Sequence, residues 1–391
     1  MSITLRAYNV LFGDCLLVSW DEDDGEHHAW VDFGNFINDP NAVFTSVYSD
    51  ILTRTQGNLD LIVVTHKHMD HLEGFYSKRK SIARDFTIKK IWHAHVTPGL
   101  DDQFKITEKQ IRDLGLLPDW IMRGEGVLGQ IYRNNFGIKG LSIEDRMEAF
   151  LTEVPGTPCY PIYRGVNMDD KLPGGLSKLK IEILAPEEDS SLYFEPLREI
   201  LLTRNSLDNY FNKQNALTEP LDSESPFDRP EPKDEERSPL DMLADFSRLR
   251  RRLRSGGLDL LRAVDETRNN TSLVLALTYG DKRLLLAADA EDKSWEVMHD
   301  KGANFDSALI KIAHHGSTNA SPSWSYDKVF PARRPANGVI ISTDPTRYTG
   351  ENEVPKTEVV AEWQGRVVNV AGLFRRTDDV ELGKYVEVQY A

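Results

Sequence analysis

The sequence predicts an α/β chain built as an αββα sandwich and interrupted by two insertions. Three observations carry that prediction. Residues 3–96 read as strand-strand-strand-helix-strand-loop-strand, which is half of such a sandwich. Strand patterns return at 178–186 and again from 269 onward, which supplies a second half. Finally, three buried strands end in histidine or aspartate, near residues 65, 289 and 314. Ligand-type side chains from such distant positions meet only if those strand ends share one edge.

The elements follow in order. Residues 3–20 alternate apolar and polar around a break at Gly13-Asp14, giving two strands and a turn. The acidic run 21–26 is a hairpin tip, and Ala29 to Gly34 is a third strand ending in Asp-x-Gly. Val43, Phe44, Val47, Tyr48, Ile51 and Leu52 recur at helical spacing, which predicts a helix over 41–56. Leu59 to Val64 is rich in β-branched residues and reads as a fully buried strand, with another at 88–95. Residues 97–175 hold helical patterns at 107–117 and 142–152 and a Pro/Gly-rich passage, so they read as an inserted cap or lid near the site. After the strand at 178–186 the composition changes: residues 218–239 contain five prolines and many carboxylates. Residues 187–266 therefore read as a charged, partly mobile insertion. It ends in a basic helix at 246–254 whose Arg250 and Arg251 are candidate phosphate contacts, or else a solvated face with acidic neighbours. Strands at 269–280, 283–291, 307–313, 338–342, 366–370 and 384–390, with a helix at 294–301, close the second half. The core is thus 1–96, 176–186 and 267–391.

Composition narrows the function classes. A net charge of −15 over 391 residues argues against coating nucleic acid by bulk charge. It leaves a nuclease open, because bound cations and a local basic patch override the global sign. No apolar run reaches eighteen residues, so no membrane span is expected. The N-terminus lacks a secretory pattern and the two cysteines make no disulfide framework, so the expected location is cytoplasmic.

The chemistry concentrates at His66-Lys67-His68-Met69-Asp70-His71, where a buried strand ends. Imidazole and carboxylate are the ligands that borderline divalent metals prefer. The stretch 65–74 resembles the His-x-His-x-Asp-His signature of the metallo-β-lactamase fold, whose members are mostly two-metal hydrolases. Three further segments, 269–275, 284–291 and Lys-Ile-Ala-His-His-Gly-Ser at 311–317, are similar to the metallo-β-lactamase domain of ComEC-type DNA-uptake proteins and their soluble relatives. The resemblance covers roughly 3–96 and 178–390.

That resemblance implies a ligand set. His66 and His68 would hold one metal, Asp70 and His71 the second, and Asp289 would bridge them. His315 would complete the second site, with His314 as the alternative. The family supplies a third histidine to the first metal. Here the interval between the motif and Asp289 holds only His93 and His95, so His95 is the candidate third ligand and Asn270 another. Asp32 would orient a ligand histidine, or with Gly34 simply make a turn; Asp14 reads as a turn residue. Ser317 would donate to a substrate oxygen or serve as a turn residue. Two zinc ions, or manganese, about 3.5–4 Å apart would lower the pKa of a bridging water, with Asp70 orienting the nucleophile or moving a proton. The leading functional expectation is a phosphodiesterase or nuclease. One alternative is hydrolysis of a small ester, lactone or phosphodiester. Another is a regulatory or binding subunit of a multi-protein system, such as phage defence, that docks partners through 97–175 and 187–266. The sequence does not fix the oligomeric state.

Overall fold

The structure is a computed structural model that describes residues 2–35, 41–113, 117–137, 141–154, 156–194, 257–344, 346, 348, 350 and 353–391. The basic stretch 246–254, with Arg250 and Arg251, lies outside the described residues, as does most of the second insertion.

Two mixed sheets form the core. The first runs through β1 (Ile3–Tyr8), β2 (Cys15–Asp21), β3 (Glu26–Phe33), β4 (Asn58–Val64), β5 (Thr87–Ala94) and β6 (Cys159–Ile162), with the C-terminal β13 (Tyr385–Tyr390) outside β1. Its β1–β3 part is antiparallel and its β3–β6 part parallel. The second sheet contains β7 (Leu179–Ala185), β8 (Val274–Tyr279), β9 (Lys282–Leu286), β10 (Leu309–Lys311), β11 (Gly338–Ile341) and β12 (Phe374–Arg376) in that order. Here β9 to β12 run parallel.

Successive strand residues point to opposite faces, and the packing follows that period. Leu16 and Val18 of β2 turn inward with Leu61 and Val63 of β4. There they meet Leu275, Leu284 and Ile340 of the second sheet. Cys15 and Leu17 turn the other way, under helices α1 (Asn41–Thr55), α2 (Met69–Asp85) and α6 (Ile143–Glu153). The outer face of the second sheet is covered by α8 (Asp292–Asp300), α9 (Ser325–Val329) and α10 (Thr357–Arg366). The order of layers is helices, sheet, sheet, helices. No helix among the described residues is long and apolar enough to cross a membrane.

Four boundaries differ from the sequence reading. The metal loop is shorter than expected, because α2 begins at Met69 and takes Asp70 and His71 into its first turn. Residues 257–270 form a helix, α7, so β8 starts only at Val274 and Asn269 and Asn270 end a helix. The strand expected at 366–370 is instead the end of α10 and a turn, because Val359 and Trp363 anchor that helix in the core while Val368 is exposed. The strand at 384–390 forms, but it pairs with β1 rather than closing the second sheet.

The insertions also differ from a simple cap. Residues 159–162 extend the first sheet as β6. Helices α3 (Leu100–Asp113), α4 (Asp119–Met122) and α5 (Gly126–Phe136) share a separate small core with α7, in which Phe104, Ile121 and Tyr132 meet Leu260, Leu261 and Val264. Two segments far apart in sequence thus build one body against the sandwich.

Candidate metal centre

The carboxyl ends of β3 and β4 in one sheet, and of β9, β10 and β11 in the other, come to one edge of the sandwich. The sheets are joined there by the Leu273 N–H, which donates to the Thr65 carbonyl at 2.8 Å. Asp70, His71, Asp289 and His315 converge at this edge. Each offers one ligand atom, these atoms lie within 4.8 Å of one another, and all four residues are buried. His71 Nε2 is 3.1 Å from Asp289 Oδ2 and 3.8 Å from Asp70 Oδ1. His315 Nε2 is 3.5 Å from both Asp70 Oδ2 and Asp289 Oδ2.

Local backbone chemistry makes this convergence possible. The turn at Gly13-Asp14 and the turn at Asp32-x-Gly34 lie directly under the start of α2. Asp14 N donates to Asp70 O (2.9 Å), Gly34 N to Asp14 O (3.0 Å) and Asn35 N to Met69 O (3.2 Å). A Cβ on Gly34 would overlap the Asp70 carbonyl carbon and the His71 nitrogen, so glycine is needed for the approach. Asp32, Ala288, His314 and His315 all hold positive φ (56°, 48°, 42° and 54°). Non-glycine residues adopt this region at a cost of about 1–3 kcal/mol each. The gain in return is the aim of the two ligand-bearing turns.

Each ligand histidine is held by its other nitrogen. His71 Nδ1 donates to Asp32 Oδ2 at 2.8 Å, and Asp32 also accepts from Thr65 N (2.8 Å) and Thr65 Oγ1 (2.6 Å). His315 Nδ1 donates to the Ser342 carbonyl at 2.9 Å. Both rings therefore turn Nε2 into the cluster, the arrangement that fixes tautomer and direction in metal-binding histidines. Asp70 Oδ1, His71 Nε2, Asp289 Oδ1 and His315 Nε2 are buried without a well-formed hydrogen bond. Burying such an atom unpaired costs about 1–3 kcal/mol, and four around one point could together hold a cation.

The charges agree. Four buried carboxylates, Asp14, Asp32, Asp70 and Asp289, surround the site, and Lys311 is a fully buried cation among them. Lys311 Nζ pairs with Asp14 Oδ2 and lies 3.9 Å from Asp289 Oδ1. Burial opposes the charge of His71, but Asp289, Asp32 and Asp70 hold it well above its ordinary range. Burial likewise opposes ionisation of Asp289, yet His71 and His315 keep it well below the usual carboxylate range. Metal binding needs the neutral imidazole and the ionised carboxylate, so a proton and a divalent ion would compete for this cluster.

The other expected residues divide. His66 Nε2 and His68 Nδ1 face each other at 2.9 Å, and the His66 ring centroid is 4.2 Å from that of His71. Burial holds His68 down at about 4, against Asp70, so it is neutral at pH 7. These are the two nitrogens that the sequence reading gives to a first ion, and they stand outside the four-residue cluster. His95 does not join them, since its ring packs on Tyr163. Asn270 does not either: its Oδ1 accepts from Ser294 N at the start of α8 and its Nδ2 donates to Glu266 O. His314 turns away from the cluster to Glu291, 3.0 Å from Nδ1, and against the penalty of burial Glu291 and Asp289 hold it up at about 9. Ser317 Oγ donates to Asn319 two residues on, a turn contact.

Asp32 makes the contact to His71 that an orienting role requires. Asp14 is more than a turn residue, since its carboxylate holds Lys311. Sequence reasoning missed Lys311 altogether, although a lysine between Ile310 and Ile312 of an apolar strand was its signal. It also missed Asn135 and Asp265, which only the folded insertions bring to His68 (2.8 and 3.8 Å). Compared with known proteins, the chain matches no family model and no curated protein.

Proposed function

We propose that this chain is a metal-dependent hydrolase of the metallo-β-lactamase fold, and that it cleaves phosphodiesters. The observation that carries the reading is the set of four buried ligand atoms, on Asp70, His71, Asp289 and His315, that face one another with both histidines held from behind. The four-layer arrangement, with these residues at the carboxyl ends of parallel strands, supports the fold assignment. Divalent ions bound there, zinc or manganese by donor type, supply Lewis acidity and an ionised water at neutral pH. The chain itself supplies the remainder. Asp32 and Ser342 orient the ligands, Lys311 balances the carboxylate charge, and the apolar layers beneath exclude water.

The substrate class rests on the groove beside the motif. About 430 Å³ in volume, it is lined by Lys67, His93, Lys105, Glu144 and Glu148 among others. Its two lysines supply charge that a phosphate needs. Its size also suits a compact ester or phosphodiester, which is the second reading. The test is hydrolysis of bis-p-nitrophenyl phosphate and of single- and double-stranded DNA by zinc- or manganese-loaded protein, beside Asp289→Asn. The expected result is phosphodiester cleavage that the substitution abolishes. Cleavage equal in both proteins, or none on any phosphodiester, overturns the reading.

A further inference from the structure

The His-x-His part of the motif has two nitrogen donors and no third histidine. The two insertions nevertheless grip it closely. Asn134 Oδ1 accepts from the Asp70 N–H at 3.1 Å. Arg268 of α7, only 2% exposed, donates to the Lys67 carbonyl at 2.9 Å and to Glu144 of α6 at 2.7 Å. Buried between these holds, His68 Nε2 meets Asn135 Oδ1 at 2.8 Å.

The direction of that last hydrogen bond follows from its neighbours. Asn135 Nδ2 lies 3.0 Å from the Ile131 carbonyl and 2.6 Å from Asp265 Oδ1. A backbone carbonyl only accepts, so the amide nitrogen must face it and the amide oxygen must face His68. An amide oxygen also only accepts, so His68 must carry its proton on Nε2. The neutral ring then leaves a lone pair on Nδ1, the atom 2.9 Å from His66 Nε2. Two imidazole nitrogens this close hold either one shared proton or one shared ion.

We propose that Asn135, fixed by Asp265, is a positioning residue that sets the tautomer of His68 and so makes Nδ1 a metal donor. The inference rests on reading 66–71 as a metal motif. Asn135 belongs to α5 and Asp265 to α7, and these helices pack together in the separate core of the insertions. The insertions are thus the outer support of the first metal position. They supply by orientation part of what a third histidine supplies elsewhere by ligation. Groups of this kind typically change metal affinity by about 10–100-fold when removed.

The test combines two measurements on the full chain. Nitrogen-15 NMR of histidine-labelled, metal-free protein reads which nitrogen of His68 is protonated, and calorimetric titration with Zn²⁺ reads the affinity of each equivalent. The wild type is expected to show the Nε2–H form and to take two equivalents. Asn135→Leu should lose that form and weaken one equivalent about 10–100-fold while leaving the other unchanged. Asp265→Leu, which leaves Asn135 in place and removes only the group behind it, should shift the same two readouts in the same direction. A wild-type His68 protonated on Nδ1 overturns the proposal. So does an Asn135→Leu protein with unchanged tautomer and unchanged affinities. If Asn135→Leu does not fold, the wild-type tautomer and Asp265→Leu decide. If the wild type binds no Zn²⁺, the hydrolase reading fails, and the tautomer still decides whether Asn135 acts as proposed.

Discussion

Lys311 offers the sharpest test of the electrostatics beneath the site. It lies on β10 with its side chain fully buried, paired with Asp14, 3.5 Å from the Ala288 carbonyl and 3.9 Å from Asp289 Oδ1. Burial disfavours its charge, but Asp14 and Asp289 hold its pKa above the ordinary lysine value. Lys311→Met would leave the Asp14 carboxylate buried without the cation it pairs with. His315 Nδ1, 3.7 Å from Asp14 Oδ1, already donates to the Ser342 carbonyl. Breaking a buried pair from one side costs about 3–5 kcal/mol, whereas removing both charges is often nearly neutral. The expected loss is therefore about 3–5 kcal/mol for Lys311→Met, with at least about 2 kcal/mol recovered when Asp14→Asn is added. Urea unfolding with excess chelator is the assay, because bound metal would otherwise add its own stabilisation. A Lys311→Met protein within about 1 kcal/mol of wild type, or simple additivity of the two substitutions, would refute the reasoning.

Two further outcomes are expected. Asp32→Asn removes the carboxylate that holds His71 Nδ1, so zinc affinity measured by calorimetry should fall about 10–100-fold; an unchanged affinity would exclude the orienting role. His28, 5% exposed and bonded to Ser19, is pushed by burial down to about 4 from 6.5. Its folded pKa lies below its unfolded one, so this contribution is complete above pH 6.5 and is lost as pH falls toward 4. It amounts to about 3 kcal/mol at full size. The stability difference between wild type and His28→Leu should vary across that window and be flat above pH 7; a flat difference throughout would remove His28 from the acid limb.

Much of the architecture was legible because the local patterns are strong. The alternation in β1 and β2, the apolar run of β4 and the helical spacing of α1 depend on near neighbours, and each element appears where its pattern lies. The convergence of Asp70, His71, Asp289 and His315 was legible from ligand types at strand ends. The assignments that failed depend on tertiary context. The valines at 367–370 alternate plausibly for a strand, but the buried Trp363 carries the helix through Arg366. Asn270 looked like a ligand beside a strand, and the helix ending there uses it to cap α8. Asp14 looked like a turn residue because its partner Lys311 is nearly three hundred residues away. Asn135 and Asp265 carry no local signal, since their meaning depends on two insertions folding together.

If the buried cluster of Asp70, His71, Asp289 and His315 is a metal site, elemental analysis of the purified protein will find the metal. Mass spectrometry should count zinc and manganese per chain in wild type and in Asp289→Asn, before and after reconstitution and desalting. The wild type should retain one or two equivalents and the variant should lose metal. A wild-type protein that retains no divalent metal after reconstitution would contradict the metal-site reading.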